Sequence, residues 1–304
     1  MTPTHGGPRR VPHPAARLLI FLVLLALGAS ALTAALYLLH FPAQRSHGQL
    51  QPWPLLVTSL LAYGLVLAVT ATCLQRLEGR TLSTVGLPGR PLLPAYLLGL
   101  ACGGVVPAVV VLLLALFGLA TVTPVQLTRS LFLTATLPML AATVLLAAWE
   151  ELAFRGYPLQ QLIAWTGQSW GALTTGVLFA LAHSENPGAN LPGFLNTAVN
   201  GVLLAWVVIR SGSLWLACGY HAGWNLMAAQ GLGLVDSGIQ APGSLSRTQL
   251  AGPAWLTGGA YGFEASVLTG VLELIVIGTI LWHARRLPLS VPALPYFAPS
   301  RSAV

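Results

Sequence analysis

An all-α, polytopic membrane protein of about eight transmembrane helices is the fold class that this sequence predicts, and three observations carry it. Only 7% of the 304 residues are charged, 55% are hydrophobic, and the apolar residues gather in runs long enough to cross a bilayer. Mean hydropathy is +0.76. Soluble domains carry roughly one quarter charged residues, so water is not the main solvent of this chain. A helix needs about 20 apolar residues to cross about 30 Å of hydrocarbon, and such spans with short loops use up the length. The whole chain, 1–304, therefore reads as a single membrane domain.

In the first half the runs fall at 18–39, 54–74, 95–120 and 131–152, bounded by Arg, Pro, Gly or Gln. In the second they fall at 170–183, 194–209, 214–232 and 264–282, the first two being short. The tail 1–17, rich in Pro, His and Arg, precedes a run too long for a signal-peptide core, so the first span is expected to be retained. Between runs, 75–94 holds the turn-rich GRTLSTVGLPGRP, 184–193 holds Asn-Pro-Gly and Pro-Gly breakers, and 233–259 is a long Gly- and Ser-rich connection. The proline-bearing tail 287–304 reads as irregular.

The 14 basic residues are all arginine, against seven acidic ones. A pI near 9.9 would suggest nucleic acid for a soluble protein. Here the arginines stand mostly singly between apolar runs, which reads as topology and contact with anionic lipid, so no nucleic-acid partner is expected. An inside N-terminus puts Arg9, Arg10, Arg17, Arg76, Arg80, Arg90, Arg155, Arg210, Arg285, Arg286 and Arg301 on the cytoplasmic side and only Arg45, Arg129 and Arg247 outside. Both tails, 1–17 and 287–304, are thereby predicted to be cytoplasmic. The all-arginine composition and short loops point to a multi-pass protein of a bacterial cell membrane. Cys73, Cys102 and Cys218 show no metal-binding spacing and read as small core residues.

Ionisable residues inside a span cost at least about 2.5 kcal/mol each, so they mark the chemistry. Two of the seven acids stand side by side in Glu150-Glu151-Leu-Ala-Phe-Arg155. On a helix Glu151 and Arg155 share a face at i and i+4 and can pair, whereas Glu150 is turned about 100° away and is free to act as a base. A charged cluster snorkelling at the membrane boundary would account for Glu151 and Arg155, and poorly for Glu150. Phe179 and His183 repeat the i, i+4 spacing. If the chain turns near Gly167, Glu150 lies 17 residues before the turn and His183 lies 16 after it, which brings them to one depth, with Pro158 kinking the first arm. His221 and Asn225 share a face of the next-to-last run, where Gly219 and Gly223 would let another helix approach closely. Asn196 and Asn200 have the same spacing and read as interhelical hydrogen-bonding groups.

EExxxR, FxxxH and HxxxN, in this order on three hydrophobic helices, resemble the CAAX-protease and bacteriocin-processing family, which includes the type II CAAX prenyl endopeptidases. The resemblance covers 81–270, a catalytic core that includes GRTLSTVGLP and the GSLW before the last motif. It implies an intramembrane protease, a hydrolase of peptide bonds, with Glu150 as the general base that activates water and His183 holding that water. His221 and Asn225 would face the developing oxyanion, and Glu151, Arg155 and Phe179 would support the site. The implied substrate is a membrane protein or a lipidated peptide, and the lipid bilayer is the other partner. Such enzymes have been described both as metalloproteases and as glutamate-dependent proteases. Glu150, His183 and His221 could form a two-histidine, one-carboxylate zinc shell, but HExxH is absent and no obligatory cofactor is expected.

Two other classes share some of these features. A transporter with an intramembrane proton relay also buries Glu, His and Asn, but would be expected to show two related halves, and none is visible. A non-catalytic membrane immunity or interaction protein is the other alternative. The arginine distribution predicts that reporter domains fused after residue 286 fold and function on the cytoplasmic side; activity only on the opposite side would refute the topology.

Overall fold

The computed structural model describes residue 11 and residues 13–46, 49–87 and 92–286, and these are mostly helical. The helices are α1 (Pro14–Leu38), α2 (Pro52–Cys73), α3 (Leu92–Gly103), α4 (Val105–Leu116), the single turn α5 (Arg129–Leu131), α6 (Leu137–Glu151), α7 (Tyr157–Thr166), α8 (Gln168–Ala182), α9 (Leu191–Ser211), α10 (Leu214–Asn225), the short α11 (Ala254–Thr257) and α12 (Val267–Arg286). Each of the eight apolar runs lies largely on helix. Among the described residues five segments are long and apolar enough to cross a membrane: Pro14–Leu38, Pro52–Glu78, Leu93–Leu116, Arg129–Thr166 and Leu191–Ser211. The apolar part of α12, Val267–Ile280, is shorter, and so are α8 and α10. The first ten residues of the N-terminal tail, the tail 287–304, and Arg9, Arg10, Arg90 and Arg301 lie outside the described residues.

Prolines shape the segment Arg129–Thr166. A proline removes one backbone donor and its ring crowds the carbonyl four residues earlier. Before Pro138 and again before Pro158 the ladder passes through a wider π-turn, at Phe132–Thr136 and Leu152–Gly156, and each proline then opens a fresh α-helix in its first turn, where proline is tolerated. The fourth run therefore continues beyond residue 152 instead of ending there. At Gly167 (φ +85°) the chain reverses, and α8 packs back along α7. The other helix starts follow local chemistry: the Asn190 side chain accepts from Gly193 N at 2.9 Å to begin α9, and Ser213 Oγ accepts from Leu216 N at 3.3 Å to begin α10.

The most extensive helix pairing is between α3 and α10, with α8 on α9 and α2 on α6 next. Glycine makes the first contact, since a Cβ on Gly219 or Gly223 would run into the backbone of Tyr96 or Leu100. Cys73 and Cys218 are buried as expected. Cys102 is not: it is exposed on α3, beside the equally exposed Leu98 and Val105, because that face turns away from α10.

Three short antiparallel pairs correct a strictly all-α reading. They are β1 (Arg45–Ser46) with β2 (Gln49–Leu50), β3 (Ala120–Pro124) with β6 (Ser246–Leu250), and β4 (Val235–Asp236) with β5 (Ile239–Gln240). Strands of two to five residues are too short to show alternation in sequence. The β3–β6 ladder, running from Ala120↔Leu250 to Pro124↔Ser246, ties the connection 233–259 to the end of α4 and folds it over the helix bundle. Two arginines assigned above to cytoplasmic segments are buried: Arg17 pairs with Glu78 at 2.8 Å and joins the start of α1 to the end of α2, while Arg155 lies within the bundle.

Gly223→Val is expected to force α3 off α10 and lower stability by about 1–3 kcal/mol, read as a lower unfolding temperature in detergent. A variant that unfolds with the wild type would refute the close approach.

Candidate functional site

The turn at Gly167 places the end of α8 beside the end of α6, and His183 Nε2 stands 4.0 Å from Glu150 Oε2. From α10, His221 Nε2 stands 3.8 Å from the same oxygen. Glu150 is 8% exposed, and among the described residues Oε2 has no hydrogen-bond partner. Both imidazoles are held by their other nitrogen. His183 Nδ1 donates to Phe179 O at 2.8 Å, and His221 Nδ1 donates to Glu151 Oε1 at 2.9 Å. A carbonyl can only accept, so Nδ1 of His183 carries the proton, which leaves Nε2 toward Glu150 as an acceptor in the neutral ring.

Glu151 and Arg155 are fully buried, which rules out a snorkelling pair. Arg155 Nη1 donates to Glu151 Oε1 at 2.9 Å and Nη2 to Gly201 O at 3.1 Å, so one carboxylate and one guanidinium join α6, α9 and α10. The i, i+4 pairing expected from sequence is present. Its third member, His221, is a long-range contact that spacing does not reveal. Phe179 packs between these groups, 4.5 Å ring to ring from His183, 5.8 Å from His221 and 4.3 Å from the Arg155 guanidinium carbon. Gly201 admits this arrangement, because a Cβ there would lie 2.7 Å from Gly176 Cα and 3.2 Å from Arg155 Nη2.

Two cavities meet at Glu150, His183 and Asn225. The larger, of about 240 Å³, has apolar walls from Leu55, Met139 and Trp149 and continues past Leu50, Ile239 and Ala241 into a wider vestibule of about 790 Å³. The smaller, of about 40 Å³, adds His221, Asn196, Asn200, Glu264 and Glu273. Asn196 Nδ2 donates to the carbonyls of Glu264 and Ser266 at 2.7 and 2.9 Å, and Asn200 Nδ2 donates to Glu273 Oε1 at 2.8 Å. These are the interhelical bonds expected of both asparagines.

Three acids around the site, Asp236, Glu264 and Glu273, were not singled out from sequence. The signal that could have found them is the one that found Glu150: acids number only seven, so each placed in or beside an apolar run carries information. Glu264 Oε1 accepts from Trp224 Nε1 at 3.0 Å, and Oε2 accepts from Ser237 N at 2.6 Å and from Ser237 Oγ.

Zinc ligands at 2.0–2.2 Å in a tetrahedron stand about 3.3–3.5 Å from one another. Glu150, His183 and His221 offer donor atoms of the kinds that zinc takes, and the two imidazole nitrogens stand 4.0 and 3.8 Å from Glu150 Oε2, wider than that spacing.

Carboxylates and imidazoles gathered among apolar helices, around a shared cavity, define a polytopic membrane protein with a polar site inside its helix bundle. Residues 131–227 match the family model described as "Type II CAAX prenyl endopeptidase Rce1-like", and this match supports assigning the chain to the CAAX-protease and bacteriocin-processing family of membrane peptidases. The match lies within the expected core 81–270 and contains all seven residues named there for catalysis and support. No curated protein matches the chain.

Removing the Arg155 guanidinium leaves a buried carboxylate without its counter-charge, which costs about 3–5 kcal/mol. Arg155→Ala and Glu151→Gln are expected to lower the yield of folded protein, measured by size-exclusion profile and thermal unfolding. Wild-type stability in both would refute the structural role of the pair.

Proposed function

We propose that the chain is an intramembrane endopeptidase of the cell membrane in which Glu150 activates water to attack a peptide bond of a membrane protein or lipidated peptide. The observation that carries this reading is the open spacing around Glu150 Oε2. Gaps of 3.8 and 4.0 Å to two imidazole nitrogens admit a water that hydrogen-bonds the carboxylate and a histidine together. In this role Glu150 takes the water's proton, His183 orients the water, and the Asn225 amide, with His221 held by Glu151, faces the oxygen of the carbonyl under attack. The larger cavity, with walls from Leu55, Met139, Leu146 and Trp149, suits an extended segment with apolar side chains. No metal takes part in this mechanism.

Glu150→Gln keeps the shape and removes the base. Membrane proteomes from cells with wild-type protein and with Glu150→Gln are expected to differ by a fragment made only by the first. On the purified proteins, cleavage of that substrate should fall at least about a hundredfold while thermal unfolding is unchanged, and wild-type activity should survive a strong chelator. Identical proteomes would favour the non-catalytic immunity or interaction reading. Activity lost to the chelator and restored by zinc alone would recast Glu150, His183 and His221 as ligands. A folded but inactive Glu151→Gln beside an active Glu150→Gln would exchange the roles of the two glutamates.

A further inference from the structure

Across the larger cavity from the helices stands one acid from the covering connection. Asp236 ends β4 and lines the same cavity as Glu150, His183 and Asn225. Its Oδ1 is buried and has no hydrogen-bond partner among the described residues. The hairpin that carries it turns through Ser237 (φ +46°) and Gly238 (φ +76°), and a non-glycine residue in the left-handed region needs support. Glu264 supplies that support by accepting from Ser237 N and Oγ, and it is itself held by Trp224, the neighbour of Asn225. The turn is thus locked onto α10 with Asp236 at the cavity wall.

The charged and titratable groups around Asp236 are Glu264 beside it, Glu150 on α6, His183 on α8, and Tyr261 from the turn before α12. Among the described residues no arginine lines this cavity. Burial first, then the neighbouring Glu264 and Glu150, hold the Asp236 carboxyl well above the usual carboxylate range, the direction that a proton donor needs.

We propose that Asp236 is the general acid of the reaction, donating its proton to the amine that leaves. The assignment rests on the hydrolytic reading above and adds the partner that Glu150 needs. Glu150 takes one proton from water as the new C–O bond forms. When the C–N bond breaks, its electron pair stays on nitrogen, and nitrogen takes the proton from Asp236. The Asp236 carboxylate then regains, through the cavity, the proton held by Glu150. One water is consumed, and both residues return to their starting states. One group that takes a proton and another that gives one is the division of labour that amide hydrolysis requires.

The test uses leaving-group dependence in the full-length protein. The probes are a lipidated fluorogenic peptide and the same acyl segment as a thioester, whose thiolate leaves without a proton. Asp236→Asn is expected to slow amide cleavage at least about a hundredfold and leave thioester cleavage within about threefold of wild type, while Glu150→Gln slows both. Infrared difference spectra should show a protonated carboxyl at neutral pH that is missing in Asp236→Asn. Equal slowing of both probes, undiminished amide cleavage, or absence of that carboxyl signal in the wild type would overturn the assignment. If Glu150→Gln cleaves both probes at the wild-type rate, the hydrolytic reading falls, and the role of Asp236 with it.

Discussion

The Glu151 carboxylate, fully buried and shared between Arg155 and His221, is the interaction on which the site depends. A lone carboxylate among apolar helices would be far too costly to stay ionised, so it needs its counter-charge, and that counter-charge needs its own acceptors. Arg155 meets the need by donating to Glu151 and to the Gly201 carbonyl, which draws α9 against α6. His221 completes it from α10. Three helices are held at one depth by groups that are each expensive to bury alone. Glu150, one residue earlier, is turned by helix geometry into the cavity and left without a strong partner.

Close packing makes room for this polar cluster. Gly219 and Gly223 let α10 settle onto α3, and Gly176 and Gly201 do the same for α8 and α9. The neighbouring π-turns arise where prolines interrupt the ladder of Arg129–Thr166, and a further one, Leu226–Gly231, directly follows Asn225. Irregular backbone at membrane depth is tolerated where it is buried in protein or lines a cavity. Here it borders the site on both α6 and α10.

The connection 233–259 changes what the site can do. As sequence it is a Gly- and Ser-rich link. In the fold, β6 pairs with β3, and the β4–β5 hairpin leans on Glu264, so the link becomes one wall of the cavity and contributes Asp236 to it. The helices supply the carboxylate and imidazoles, and the connection supplies a second acid and the rim of the vestibule.

By itself the sequence determined the membrane class, the positions of the apolar helices, the Glu151–Arg155 pair, the reversal at Gly167 and the common depth of Glu150 and His183. All of these follow from composition or from helix spacing along a single stretch of chain, where 3.6 residues per turn converts sequence separation directly into geometry. Tertiary structure alone decided that His221 would bind Glu151, that Arg17 and Arg155 would be core residues, that Cys102 would face outward, and that Asp236 and Glu264 would border the site. Those contacts join residues tens of positions apart through the packing of glycine faces and through strands too short to show a period, and neither leaves a local trace that spacing rules can read.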